Sequence, residues 1–505
     1  MPYVTIQTDE VAAVRQVIRR EFRLDELVNV VALTDNVADN TTTLVVRDGA
    51  LTHPPDWRAS VPPVLLPRPL AFTPDNLLAV IFAQLDNWEK VYEYAPHDRR
   101  SNALPLADAL DLTNRLQSGV RLTPPARPIN GVGTFETYQR WHNRAVALHY
   151  GLRDAETDGA DVVDAYRAAL THAPDAEHRA YTTKQFATWL LDAGQLNEAN
   201  RVLADAPTDT LPADAQTELL AVQYAVWLQQ LTVPYDADRL EQTKNALWTV
   251  LQAYEAQQRR VEVGMVLLDA AQVANFSNSF AEALGYVNRA IGIFRQEDVV
   301  ELLANAQYRK GVLLYTWAQT GHPQFYRPAM EAYQEALKVF TQQHAPALFA
   351  EIQHHLGVIF SEIPDEAKKK SIWAAVSSSS FQQALAYFTK DDFPYEYATI
   401  CNHYANALTK YPPAARSDNY AKAIGYYREA LRIRTADTYP YERALTILNY
   451  LEAGWDVGED DPANQRALRD DMLRKAHEVA RLVTDDALRS EADRHLARLG
   501  QLVIT

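Results

Sequence analysis

Residues 328–340, PAMEAYQEALKVF, and residues 420–433, YAKAIGYYREALRI, share one arrangement: an alanine, an aromatic four positions later and a second alanine three beyond it (Ala329, Tyr333, Ala336; Ala423, Tyr427, Ala430). On a helix these positions share a face. Small residues there let a neighbouring helix approach closely, and the ring fills the space between the two. The pattern recurs as Val162, Tyr166, Ala169 and, with an aliphatic in place of the ring, as Ala283, Val287, Ala290. A small residue also stands upstream at a fixed distance: Ala79 lies twelve residues before Val91, Ala187 twelve before Ala199, and Ala271 twelve before Ala283. The spacing predicts two helices joined by a short turn, repeated along the chain.

Farther on the units lengthen. Gly311 and Ala405 precede Ala329 and Ala423 by eighteen residues, which places longer turns at TGHPQF (320–325) and YPPAARSD (411–418). Gly357 precedes Ala384 by twenty-seven. The added residues fall in SEIPDEAKKKSIWAAVSSSS (361–380), where Pro364, Asp365 and Glu366 read as a helix start and predict a second helix projecting beyond its neighbours. A further series marks where first helices begin: Pro394, Tyr395, Glu396, Ala398 recur as Pro440, Tyr441, Glu442, Ala444. Pro346 with Ala350, and then Ala304, extend it backwards at intervals of 46, 48 and 46 residues.

LNEA (196–199), WEKVYEYA (88–95) and the two stretches quoted first resemble the second helices of tetratricopeptide repeats, and HHLGVIF (354–360) resembles a first helix. The resemblance covers residues 71–97 and most of 135–455, with C-terminal units longer than the usual repeat of about thirty-four residues. It implies an all-α, right-handed α-α superhelix of about eight or nine antiparallel helix pairs, whose first helices line a concave, partner-binding groove. The expected divisions are 1–70, an N-terminal segment; 71–133, a first helix pair with a proline-containing linker; 134–455, the solenoid; and 456–505, capping helices. In the N-terminal segment TTTLVVRDGALTH (41–53) alternates like a strand, and PPDWRASVPPVLLPRPL (54–70) is proline-rich and extended, a mixture to which the residues assign no fold. At the other end NQRALRDDMLRKAHEVARLV (464–483) and DDALRSEADRHLARLG (485–500) are charged amphipathic helices that read as a solubilising cap.

A chain of 505 residues, 47% of them hydrophobic, folds without staples. Its 49 Lys and Arg against 65 Asp and Glu give a charge of -16, a field that opposes phosphate backbones and anionic lipid, so neither nucleic acid nor a membrane is expected as partner. The single cysteine, Cys401, excludes intramolecular disulfides and multi-Cys zinc sites and fits a reducing compartment. With no apolar signal core in MPYVTIQTDEVAAVRQ (1–16) and no run of about eighteen apolar residues, the expected location is the cytoplasm. No GxxxxGK[ST], HExxH, GxSxG or paired CxxC occurs, and INGVGTFE (129–136) lacks the strand and full glycine pattern of a dinucleotide site. Cys401 and His403 point to different sides of one helix, and adjacent His354 and His355 diverge, leaving Glu351 with His355 as at most two ligands. No catalytic residue, metal or cofactor is expected. The predicted function is a non-catalytic scaffold, adaptor or client-holding assembly factor for a protein or peptide, of open oligomeric state. A peptide-sensing regulator and a gating subunit of a separate protease or effector are the alternatives.

Asn402, Asn406 and Lys410, spaced by four, align along one stripe of a helix. Asparagine is a poor interior helix residue, so two on one stripe call for another reason, and an amide can both donate to and accept from an extended peptide backbone. The family alignment turns this stripe to the groove, with Glu351 and His354 on the preceding first helix and Asn305 and Tyr308 before that. Family members that clamp a terminal carboxylate repeat Asn and basic residues over adjacent repeats. Here one helix alone shows Asn, Asn, Lys, and Glu351 repels a carboxylate, so peptide binding without such a clamp is expected. The competing reading has these side chains packing between repeats. Trp373, inside the lengthened helix, is a second candidate contact, with folding back onto its own array as the alternative. Lys368, Lys369 and Lys370 read as a solvated face.

Overall fold

The computed structural model of the chain describes residues 4–34, 42–95, 106–128, 134–152, 159–208, 210–232, 235–413, 418–458 and 461–502. Residues 129–133, which hold the two glycines of INGVGTFE, residues 414–417 of YPPAARSD, and the Lys368 side chain lie outside the described residues. Two compact units divide the chain, Met1–Arg259 and Arg260–Thr505.

The first unit opens on a five-stranded sheet of β1 (Val4–Thr8), β2 (Val28–Ala32), β3 (Thr42–Arg47), β4 (Ala50–Thr52) and β5 (Leu70–Ala71), in the order β2-β1-β3-β4-β5. β1 pairs parallel with β2 and β3, Val4 lying opposite Val28 and Thr42, and α1 (Val11–Ile18) makes the crossover to β2. TTTLVVRDGALTH is a hairpin and not a single strand. Asp48 and Gly49 take φ of 52° and 70°, the left-handed pair that turns a two-residue hairpin between β3 and β4. Leu44, Val46 and Leu51 are buried, as the alternation predicts.

Next come α2 (Pro74–Gln84), α3 (Trp88–Tyr94) and α4 (Leu106–Gln117). Ala79 and Val91 are both fully buried, but this helix pair does not stand alone. Residues 77–81 share one apolar cluster with Val4, Ile6, Leu44 and Val46 of the sheet and with Leu106 and Leu110 of α4. That core crosses the expected division at residue 70, because a run such as LLAVIF has no polar face and has to be covered on every side.

Helix pairs follow. They are α5 (Thr134–Tyr150) with α6 (Gly159–His172), α7 (Ala176–Asp192) with α8 (Leu196–Ala204), and α9 (Ala213–Gln230) with α10 (Ala237–Ala256). The second unit continues with α11 (Arg260–Phe276) and α12 (Phe280–Gln296), α13 (Val300–Gln319) and α14 (Tyr326–Ala336), and α15 (Pro346–Glu362) and α16 (Ala367–Tyr387). It ends with α17 (Pro394–Lys410) and α18 (Asn419–Ile433), α19 (Pro440–Gly454) and α20 (Pro462–Leu482), and a last helix α21 (Asp486–Gln501). Of the two expected caps, α20 completes the pair begun by α19, and α21 packs on both.

One contact recurs within the pairs of the second unit: a small residue of the first helix receives a large side chain of the second. A Cβ added to Gly264 would lie 2.5 Å from Phe294, to Gly311 2.7 Å from Tyr333, to Gly357 3.0 Å from Phe381, and to Gly454 2.8 Å from Met472. Pro346, Pro394 and Pro440 each occupy the first helical position, where the missing N–H is no loss. Ala304, Ala350, Ala398 and Ala444, one turn in, are all buried.

The insertion makes α16 longer than α14 and α18, yet its added part runs along α15. Trp373 stacks on Phe360 with ring centroids 5.5 Å apart and planes at 11°, and its Nε1 donates to Asp365 at 3.0 Å. Ser377 Oγ donates to the Gly357 carbonyl at 2.5 Å. The ring therefore lies half-buried against its own unit, and Ile372 and Val376 face solvent in its place. Among the described residues no helix is long and apolar enough to cross a membrane.

Candidate functional site

In the second unit the first helices α13, α15, α17 and α19 are joined by polar side chains, most of them predicted as groove contacts. Tyr308 on α13 donates its hydroxyl to Glu351 Oε1 on α15 at 2.6 Å, and Asn305 sits half-buried one turn before it. His354 Nε2 meets His403 Nδ1 on α17 at 2.8 Å with the rings stacked 5.0 Å apart. Lys410 pairs with Glu362 back across to α15. Buried Asn402 accepts from Asn449 Nδ2 on α19 at 3.5 Å. Asn406 accepts the Tyr427 hydroxyl of its own pair at 2.6 Å. The predicted residues are thus brought together, and much of their hydrogen-bonding capacity is already engaged between repeats.

Capacity remains toward the end of the stripe. A cavity of about 360 Å³ lies among α17, α18 and α19, lined by Asn406, Lys410, Tyr420, Asn449, Glu452 and Asp456 among others. Glu452 and Asp456 are exposed, and the neighbour of Glu452 is His495 at 3.7 Å, whose proton affinity burial lowers. Asn449, Glu452 and Asp456 escaped the sequence reading, although their spacing from one another was the available signal. The first unit has a polar concavity of about 340 Å³, lined by His53, Asp56, Gln84, Asp86, Trp88 and Asn114 among others. Some of its groups satisfy one another: Gln84 Nε2 meets His53 Nε2 at 3.1 Å, and Trp88 Nε1 donates to Asp86 at 2.7 Å.

A second arrangement, also missed, lies on the first helices of the first unit, where the proline-rich stretch is seated without helix or strand up to Leu70. Asn143 of α5 reads the backbone of Leu65 in both directions, accepting from its N–H at 2.8 Å and donating to its carbonyl at 2.9 Å. Gln139, one turn earlier, donates to the same carbonyl at 2.8 Å. Lys184 of α7 donates to the Trp57 carbonyl at 2.6 Å, and the Trp57 ring packs edge-on against Tyr181, 5.2 Å between centroids. Arg58 is met by Asp214 of α9 at 2.7 Å. The lysine is fixed from behind. Glu218 takes Lys184 Nζ at 2.8 Å, Arg259 at 2.5 Å and the Tyr254 hydroxyl at 2.9 Å. Burial pushes the Glu218 carboxyl up, but the two cations more than offset this and hold it below the usual carboxylate range. Gln139 and Asn143 are four apart, the spacing that singled out Asn402 and Asn406.

The groups considered for chemistry are embedded in packing. Burial pushes the Cys401 thiol up to about 12, which removes its thiolate at neutral pH. His355 bonds the Tyr333 hydroxyl at 2.8 Å, and burial lowers it to about 4, as it does His403. Among the described residues no group of three or more His, Cys, Asp or Glu is placed to hold a metal ion.

No protein-family model matches the chain, and no curated protein resembles it in sequence. Solved structures do resemble it in shape. A signal transduction ATPase with numerous domains from Pyrococcus horikoshii, described with a tetratricopeptide repeat sensor, superposes with a TM-score of 0.53 at 13% identity, over 83% of this chain and 64% of that one. The chain thus spans about two thirds of the length of that protein. The P58(IPK) tetratricopeptide domain (TM-score 0.23, 13% identity, 72% of this chain and 90% of that one) and yeast Tom70 (TM-score 0.23, 12% identity, 84% and 95%) are more distant in shape. The helix pairs, their small-residue contacts and the first of these likenesses together give the chain the fold of the tetratricopeptide-type repeats.

Proposed function

We propose that the chain is a protein-interaction scaffold, whose first-helix face in the second unit binds an extended segment of a protein partner, with no chemistry of its own. What supports this reading is the chain's own proline-rich stretch: Asn143 holds the Leu65 backbone by both its N–H and its carbonyl, which is how a first-helix face of this protein treats a peptide backbone. In the second unit Asn406 and Asn449 border an open cavity that no described segment of the chain fills. The peptide-sensing and gating alternatives use the same face and differ in what the bound partner does next.

The test is Asn449→Ala, which removes one long hydrogen bond to Asn402 and leaves the helix pairs intact. A partner recovered with the full chain and then purified should bind this variant at least about tenfold more weakly, with an unchanged melting temperature. Unchanged affinity in both Asn449→Ala and Asn305→Ala would remove the face from consideration.

A further inference from the structure

The segment seated on the first unit carries a basic side chain, and the structure answers it with an acid. Arg58 donates to Asp214 Oδ2 through Nε at 3.0 Å and through a terminal nitrogen at 2.7 Å, while Asn143 and Gln139 take the backbone nearby. Amides for the main chain and a carboxylate for a guanidinium thus make up the recognition that this chain performs on a segment of its own.

The cavity among α17, α18 and α19 offers the same two kinds of group. Asn406 and Asn449 supply amides, and Glu452 and Asp456 supply carboxylates. The position of the two acids is unfavourable for the helix that carries them. Glu452 stands in the last turn of α19 and Asp456 just beyond its end, where the unsatisfied carbonyls carry partial negative charge and anions are disfavoured. The pair is also spaced by four, so the two charges repel. No ion pair engages Asp456 among the described residues, and the Lys410 that shares the lining is bound to Glu362. Among the described residues Glu452 has one ion-pair partner, His495 Nε2 of α21 at 3.7 Å, whose charged form burial disfavours, so an incoming cation supplies what local stability does not.

We infer that this cavity selects a partner segment by an arginine or lysine side chain, which enters between Glu452 and Asp456 while the amides of Asn406 and Asn449 hold the adjoining backbone. The inference rests on the reading of this face as a peptide site and adds the charge of the occupant. An excess of 65 acids over 49 bases draws a cationic segment to the same molecule.

The probe is a set of twelve-residue peptides selected from a random displayed library on the full chain, then remade with a fluorescent label. Arg or Lys should be enriched at one position, and replacing it by Gln should weaken binding at least about tenfold. In Glu452→Gln with Asp456→Asn that difference should vanish, and the variant should melt at or above the wild-type temperature, since it loses two misplaced charges. Peptides without basic enrichment that still require Asn449 would overturn the charge selection and leave the peptide face standing. Selected peptides indifferent to the acids and to Asn449, or no selected peptide at all, would overturn both. A marked fall in melting temperature of the double variant would show the acids to be structural and would also sink the inference.

Discussion

Replacing Asn406 by alanine exchanges a poor helix former for the best one, and on propensity alone it stabilises α17 by a few tenths of a kcal/mol. The structure reverses that expectation, because the Tyr427 hydroxyl, on a ring that is 2% exposed, donates to Asn406 and would lose its partner. A buried hydroxyl left unpaired costs about 1 to 3 kcal/mol, so Asn406→Ala should lower the urea midpoint, with Tyr427→Phe in the same background restoring most of the loss. The stripe of Asn402, Asn406 and Lys410 was legible from spacing. That Tyr427 would claim one amide was not, since it depends on how the second helix rolls against the first. Gln139 and Asn143 had the same spacing and went unread. Their peptide lies 74 to 78 residues earlier, a separation that no local pattern reports.

The helix pairs were readable because a small residue facing a ring leaves a mark in composition, and Gly311 tests that logic. Alanine there gains about 1 kcal/mol in helix propensity. Its Cβ would meet the Tyr333 ring at 2.7 Å, and that fully buried ring is also fixed by its bond to His355. Gly311→Ala should therefore destabilise by about 1 to 3 kcal/mol of overpacking, whereas Gly425→Ala, with open space around its Cβ, should stabilise. The lengthened α16 makes the complementary case. Its extra residues were legible as helix, but which way Trp373 turned was not, since a single indole on a helix has no period. Deleting residues 365–379 removes the stack on Phe360 and the Ser377 bond, and it should lower the melting temperature by several degrees. Trp373 emission in the intact protein, isolated with a Trp373→Phe control, should be blue-shifted and poorly quenched by acrylamide. The sheet was the least legible element. Its central pairings are parallel, and the strands are too short for their alternation to stand out.

Across the whole molecule, buried histidines decide the response to acid. Burial lowers His142 to about 3 and His355 and His403 to about 4, and it drives His354 well below its ordinary 6.5. The unfolded chain takes up these protons first as pH falls. Their contribution to stability is therefore complete above about pH 6.5 and is lost progressively towards pH 4. Glu218, lowered in the folded state, adds a further loss only as pH falls through its own depressed range. Melting temperature should be level from pH 8 to 7 and decline steeply between 6.5 and 4.5, and His403→Asn should flatten that decline. A melting temperature constant across this range would contradict the neutral histidines.

The strap on the first unit also imposes an order of events. Trp57, Arg58 and Leu65 are made before their seats, which come 74 to 156 residues later, on α5, α7 and α9. During synthesis Trp57 and Leu65 wait uncovered while local helix pairs, which close short loops, form ahead of them. Ribosome-bound chains ending near residue 170 should thus expose this apolar stretch to a protease or a hydrophobic dye, and chains extended past residue 260 should hide it. The stretch is translated before the helices that seat it, so these contacts close only once those helices are present.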